Sequence, residues 1–131
     1  MKRFFKPARI AWSAQGESHG LAHSTVFKRL VIAGQPGVDA TGEAPPDIEA
    51  QMGLAFDNLL QVLEAGQMTV ADLTKIVVYV TTPGSFAIYN QVRNRKLNTP
   101  SIVSTYVEVA GLGNPRWRVL IEGEAIRDQG P

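Results

Sequence analysis

Residues 47–65 read DIEAQMGLAFDNLLQVLEA and residues 75–81 read KIVVYVT. Their succession, an amphipathic helix and then an apolar strand, decides the fold class. In the first stretch Ile48, Met52, Ala55, Phe56, Leu59, Leu60 and Leu63 recur at intervals of three and four, which gathers them on one helical stripe. Asp47 is placed to cap the first turn and Gly66 to stop the last. The second stretch is almost continuously apolar and rich in β-branched residues, as in a strand covered on both faces and central in its sheet. Between them, Thr69 and Asp72 have the spacing of a capping box, so one helical turn is expected to lead into the strand.

Working outward, residues 26–33 (VFKRLVIA) show two short apolar runs around Lys28 and Arg29, which predicts a strand, a tight turn and a strand. The turn and breaker residues of 39–46 (DATGEAPP) follow, with Pro46 just ahead of the helix. Residues 8–24 keep no period and read as either an irregular strand pair or a loop, within an irregular N-terminal segment 1–24. Downstream, Pro83 and Gly84 punctuate the chain, and Ser85 is a candidate cap for a second helix from Phe86 to Leu97, with Phe86, Tyr89 and Val92 as its apolar stripe. Two alternating runs close the chain. Val103, Thr105, Val107 and Val109 oppose Ile102, Ser104, Tyr106 and Glu108, while Trp117, Val119, Ile121 and Gly123 oppose Arg118, Leu120, Glu122 and Glu124. This order predicts an α+β fold, a single mixed β-sheet with two α-helices packed on one face, and residues 1–131 read as one domain.

Thirteen Lys and Arg against twelve Asp and Glu leave a formal charge of +1, so no overall field favours nucleic acid or an anionic membrane. With no cysteine, disulfide and thiolate chemistry are excluded. The basic start MKRFFKP lacks the apolar run of a signal peptide, and no stretch reaches the ~20 apolar residues of a membrane span. A soluble, cytoplasmic protein is expected.

The residues offer modest chemistry by themselves. His19 and His23 lie four apart, a spacing that would bring two ligands together on a helix, but Gly20 and the missing helical period argue against it, and no metal is expected. Gly34-Gln35-Pro36-Gly37 matches no phosphate loop and reads as a strand end. The cations Arg93, Arg95 and Lys96 read as a solvated helix face, and Lys28 with Arg29 as a hairpin tip; without interleaved aromatics no nucleic-acid groove is expected. Arg118 shares a strand face with Glu122. An acid on so apolar a strand needs a partner or solvent: Glu122 is either a cleft carboxylate able to hold or deprotonate a water, or an exposed acid on an edge strand.

Several pieces combine into a resemblance: LVIAGQ at 30–35, TGE at 41–43, Gln51 and Asn58 in the first helix, FAIYN at 86–90, YVEV at 106–109 and IEGEAI at 121–126. Together, over about residues 25–127, the chain resembles the RidA (YjgF) family. The resemblance implies a chorismate-mutase-like α+β fold, a homotrimer with a small-molecule pocket at each subunit interface, and cofactor-free hydrolysis of enamine or imine intermediates such as 2-aminoacrylate. Aligning on Val107-Glu108-Val109 sets Ser104 where the family carries a carboxylate-gripping Arg, and Tyr106 where it carries a Cys. Losing one partner of such a desolvated clamp costs roughly 2–5 kcal/mol. The family's water-orienting Glu falls on Glu122 and its pocket Asn on Asn90, while Ala33 stands at the Ser preceding Gly34 and the early-strand Tyr has no counterpart near Gly20.

The expected site is therefore Glu122 as the catalytic group, with Asn90, Ser104, Tyr106, Ala33, Gly34 and Arg118 around the substrate and specificity altered by Ser104. Three other readings stand beside it. Arg118 or a neighbouring chain's Arg restores 2-imino-acid activity; or the protein is a non-catalytic binding or regulatory module; or it is a ribonuclease or translation inhibitor, for which only the cluster from Arg93 to Lys96 speaks.

Overall fold

The Asp47 carboxylate accepts the Ala50 N–H at 2.9 Å, and from that cap helix α1 runs Ile48–Ala65 in the computed structural model, which describes residues 2–9, 18–23, 26–99 and 101–128. Around it the chain forms β1 (Lys2–Phe5), β2 (Gly20–His23), β3 (Lys28–Pro36), a 3-10 turn (Val70–Asp72), β4 (Leu73–Val80), α2 (Phe86–Leu97), β5 (Val103–Glu108) and β6 (Val119–Arg127). The main sheet has the order β3-β6-β4-β5, and only β4 and β5 run parallel. That parallel pair needs a crossover, which α2 supplies. Strands β1 and β2 pair antiparallel as a separate two-stranded ribbon, so the N-terminal stretch contains a regular strand pair instead of only irregular chain.

Both helices lie on one face of the four-stranded sheet, as the element order predicts. Their stripe (Met52, Phe56, Leu59, Tyr89 and Val92) packs on Ile32, Ile76, Val78, Val119 and Ile121. The approach is close: a Cβ on Gly123 would stand 3.3 Å from Leu59 Cδ1 and 3.1 Å from the Lys75 carbonyl. Four local expectations change. Lys28 and Arg29 form no turn, because they pair with Arg127 and Ile126 inside a continuous β3. Strand β4 is covered on one face only: Ile76, Val78 and Val80 are buried, whereas Lys75 is exposed and Val77 and Tyr79 are half-exposed. The left-handed residue after α1 is Gln67 (φ 58°), not Gly66, whose missing Cβ instead makes room for Leu30, 2.8 Å from where it would stand. Ser85 stands at the N-cap of α2 and its carbonyl accepts the Tyr89 N–H, but its side chain makes no cap bond; the hydroxyl donates to the Thr82 carbonyl at 2.7 Å.

Two amides on α1 fasten the loops to this core. Gln51, fully buried, donates to the carbonyls of Pro45 (2.9 Å) and Arg116 (3.1 Å) and accepts the Arg118 N–H. Asn58, two turns on, donates to the carbonyls of Pro36 (2.9 Å) and Val38 (3.1 Å). Gly37 sits against α1 so tightly that a Cβ there would lie 1.9 Å from the Gln51 carbonyl oxygen. Gln51→Leu keeps the volume but strands three backbone groups away from water, so it should cost about 3 kcal/mol in urea unfolding. An unchanged midpoint would show that those groups find other partners.

The start of β4 is tied to the end of β6 by charge. Asp72 accepts from Arg127 at 2.8 Å and from the Thr69 N–H at 3.0 Å. Burial of Asp72 opposes its ionisation, but these donors outweigh it and hold the carboxyl below the usual carboxylate range. A carboxyl depressed by folding contributes stability above its unfolded pKa and loses it as pH falls through the folded value. Unfolding midpoints of the wild type should therefore drop below about pH 4, and Asp72→Asn should flatten part of that acid limb.

Candidate functional site

Side chains alternate across a strand, and that alternation distributes the expected site over both faces of the sheet. On β6, Glu122 pairs with Val77 of β4, and Val77 pairs with Thr105 of β5, so these three share the face away from the helices. Ser104 and Tyr106, on either side of Thr105, point to the helix face. The sequence-predicted residues thus fall into two groups and an outlier.

The first group surrounds Glu122 on the open face. Tyr79, on the same face of β4, donates its hydroxyl to Glu122 Oε1. That hydrogen bond, helped by partial desolvation, raises the pKa of the Tyr79 phenol, which therefore stays a donor at neutral pH. On the other flank β3 is bulged: Ile32 pairs with Gly123 and Gln35 with Ile121, leaving Ala33 and Gly34 both opposite Glu122. Gly34 lies close under Leu120: a Cβ there would stand 2.6 Å from Leu120 Cδ2, so any side chain at this position would displace that leucine. Ala33, Gly34, Tyr79 and Glu122 are therefore brought together, with the carboxylate bonded to Tyr79 on one side and the β3 bulge on the other.

The second group lies between α2 and the edge strand β5. Tyr106 packs edge-on against Phe86 (5.1 Å between ring centroids) and tilted against Tyr89 (5.5 Å). Burial, with the hydrogen bond its hydroxyl donates to Glu108 Oε2 at 2.8 Å, pushes the Tyr106 phenol up to about 12. The same Glu108 oxygen accepts the N–H of Gly84, whose φ of +77° forms the tight turn into α2. Tyr106 is therefore a fixed, neutral wall. Asn90 follows Tyr89 on α2, and its Oδ1, out of contact with solvent, has no hydrogen-bond partner among the described residues.

Arg118 is the outlier. It precedes Val119 at the far end of β6, four residues from Glu122, a separation of roughly 13 Å along a strand. Its side chain lines a groove of about 390 Å³ with Ala44, Pro46, Pro115 and Arg116. Within one chain, then, it does not replace a cation at Ser104. His19 and His23 share no helix either: Gly20–His23 is strand β2, and His19 stands just ahead of it. Among the described residues no cluster of three metal-ligating side chains occurs, and no helix is long and apolar enough to cross a membrane.

Two residues escape a reading by sequence. Tyr79 looked like core, although it shares the parity of exposed Lys75. Arg93 looked like part of a solvated cationic face, yet it is 1% exposed. It follows Tyr89 by four residues, on the buried stripe completed by Val92 and Leu97. Of the other two cations, Arg95 is exposed and Lys96 pairs with Asp57 at 2.8 Å.

Comparisons with known proteins agree with this architecture. The family described as Endoribonuclease L-PSP matches residues 18–127. The 2-iminobutanoate/2-iminopropanoate deaminase of Escherichia coli strain K12 is 33% identical over 85 residues, which are 64% of this chain and 61% of the deaminase. The match thus spans less than two thirds of that relative's length. A RutC family protein of Pyrococcus horikoshii is 35% identical over 99 residues, 74% of this chain and 76% of its own. The crystal structure of the Rid-family protein YyfB from Yersinia pestis superposes with a TM-score of 0.85 over 96% of this chain and 98% of that one, at 26% identity. With the match running from just before β2 to the last residue of β6, the chain belongs to the Endoribonuclease L-PSP family, which is the RidA/YjgF family.

Proposed function

We propose that this protein hydrolyses small imine or enamine intermediates without a cofactor, in a pocket that two copies of the chain complete. The observation that carries this reading is the Glu122 carboxylate, held by Tyr79 beside the β3 bulge on the sheet face opposite the helices. One Glu122 oxygen is engaged by Tyr79, and the other is left to accept a water. Glu122 takes a proton as that water attacks the imine carbon, then returns it to the departing nitrogen; the products are a 2-keto acid and ammonia. The deaminase relative, by its name, works on 2-iminobutanoate and 2-iminopropanoate, the same substrate class.

Assembly follows from the same geometry. Asn90, Ser104 and Tyr106 sit at the β5 edge, across the sheet from Glu122, so a substrate that touches both groups needs a second chain. A closed ring with head-to-tail contacts brings one surface of each copy against a different surface of the next. A homotrimer built this way holds three such pockets. The open face is suited to burial, since it presents Val31, 69% exposed, with Val77, Val107 and Leu120. Ser104, which offers a hydroxyl and no charge, favours a second reading, a binding module for an uncharged metabolite. Against RNA cleavage stands the dispersal of the cationic cluster on α2, with Arg93 buried and Lys96 paired.

With 2-aminoacrylate generated in situ by a serine dehydratase, the purified protein should clear the imine faster than spontaneous hydrolysis does. Glu122→Ala should abolish that acceleration and leave the oligomer, measured by light scattering, intact; unchanged turnover would remove Glu122 from the reaction. Tyr79→Phe frees the carboxylate to rotate and should lower kcat on the order of tenfold with little change in KM. Saturable ligand binding without any acceleration would favour the binding module.

A further inference from the structure

We propose that the groove between residues 42–46 and 114–118 is a binding site for a small organic phosphate monoester, gripped by Arg116 and Arg118. The inference does not depend on the hydrolase reading, and it takes up Arg118, which the Glu122 site leaves unused. Two hollows meet here. One, of about 390 Å³, has Pro46, Pro115, Arg116 and Arg118 in its walls; the other, of about 430 Å³, continues past Arg116 to Asn114 and Trp117. Ala44, Pro115 and Arg116 line both.

The walls are fixed before any ligand arrives. Buried Gln51 joins them, donating to the Pro45 carbonyl in one and the Arg116 carbonyl in the other, and accepting the Arg118 N–H. The Arg118 carbonyl accepts the Thr81 N–H at 3.0 Å, and Asn114 Oδ1 accepts the Arg116 N–H at 2.9 Å. Both arginines therefore rise from held backbone, and a ligand that binds there does not have to order the loops. Charge in the groove is unbalanced. Arg116 meets Glu43 at 3.6 Å with both side chains well exposed, and such a pair is weak. Arg118 is exposed and has no acidic partner among the described residues. Two guanidinia beside one carboxylate leave a positive charge uncompensated. A carboxylate ligand offers two oxygens, enough for one planar fork. A phosphate monoester is close to a dianion at neutral pH and offers three, so it bridges two forks at once and displaces Glu43 from Arg116. The apolar surface of Pro46, Pro115 and half-buried Trp117 receives its organic part.

Calorimetry on the intact wild-type protein, at about 150 mM salt, tests this with phenyl phosphate. Binding should saturate, be tighter than for inorganic phosphate, and exceed that of benzoate on the order of tenfold. Phenyl phosphate should also change the tryptophan fluorescence; Trp117→Phe, which leaves Trp12, should lose that change. Arg118→Gln should weaken phenyl phosphate on the order of tenfold, and Arg118→Lys, which keeps the charge without the fork, should weaken it less. Glu43→Gln should tighten binding by up to about fivefold by freeing Arg116, a gain that a purely structural role does not predict. That result needs no loss of function, so it decides the matter even where an arginine variant unfolds. Absence of saturable binding, benzoate bound as tightly as phenyl phosphate, or an Arg118→Gln protein that binds like the wild type overturns the proposal. Phenyl phosphate bound no more tightly than inorganic phosphate also overturns it, because the site would then take the free ion.

Discussion

The pleat of the four-stranded sheet is the constraint on which the rest of the molecule depends. Successive side chains of a strand face opposite ways, and the pairing of β6, β4 and β5 sets Glu122, Val77 and Thr105 in one row. Every other feature of the site follows from that row. Ser104 and Tyr106 are displaced by one residue each and so belong to the helix face, with the thickness of the sheet between them and Glu122. No rotamer change closes that gap, and a one-residue slip of β5 would move Ile102 and Tyr106 out of the core. A chain with this register keeps the two groups of candidate residues on opposite faces of its sheet, which is why the proposed function calls on a second copy.

Helix α1 contributes to the site without touching it. The bulge at Ala33 and Gly34 is where β3 departs from ladder pairing, and such a defect is free to shift unless its flanks are held. The flank toward the core is Ile32, buried beneath the helices; the other flank is held by Asn58 on the carbonyls of Pro36 and Val38 and by the close seat of Gly37 on α1. Gln51 does the same for the entry to β6, gripping Arg116 and Arg118 through their backbone groups. Both amides were legible in the sequence as part of a family pattern, but their work was not. A polar residue on an apolar helical stripe shows that backbone is being satisfied nearby, not which backbone.

How much could be read from the sequence varied with how local the cause was. The α1 stripe, its Asp47 cap, the Thr69–Asp72 turn and the alternation of β5 and β6 depend on neighbours in the chain, and they stand in the structure as the sequence predicts. The failures have non-local causes. Lys28 and Arg29 resemble a turn until β6 is known to supply Arg127 and Ile126 as partners. Strand β4 looks doubly covered because Val77 and Tyr79 are apolar, yet in the single chain their face carries no helix. Ser85 has the chemistry of a cap, but its hydroxyl is committed to the Thr82 carbonyl. The resemblance could nominate candidate site residues, but their division between two faces required the register.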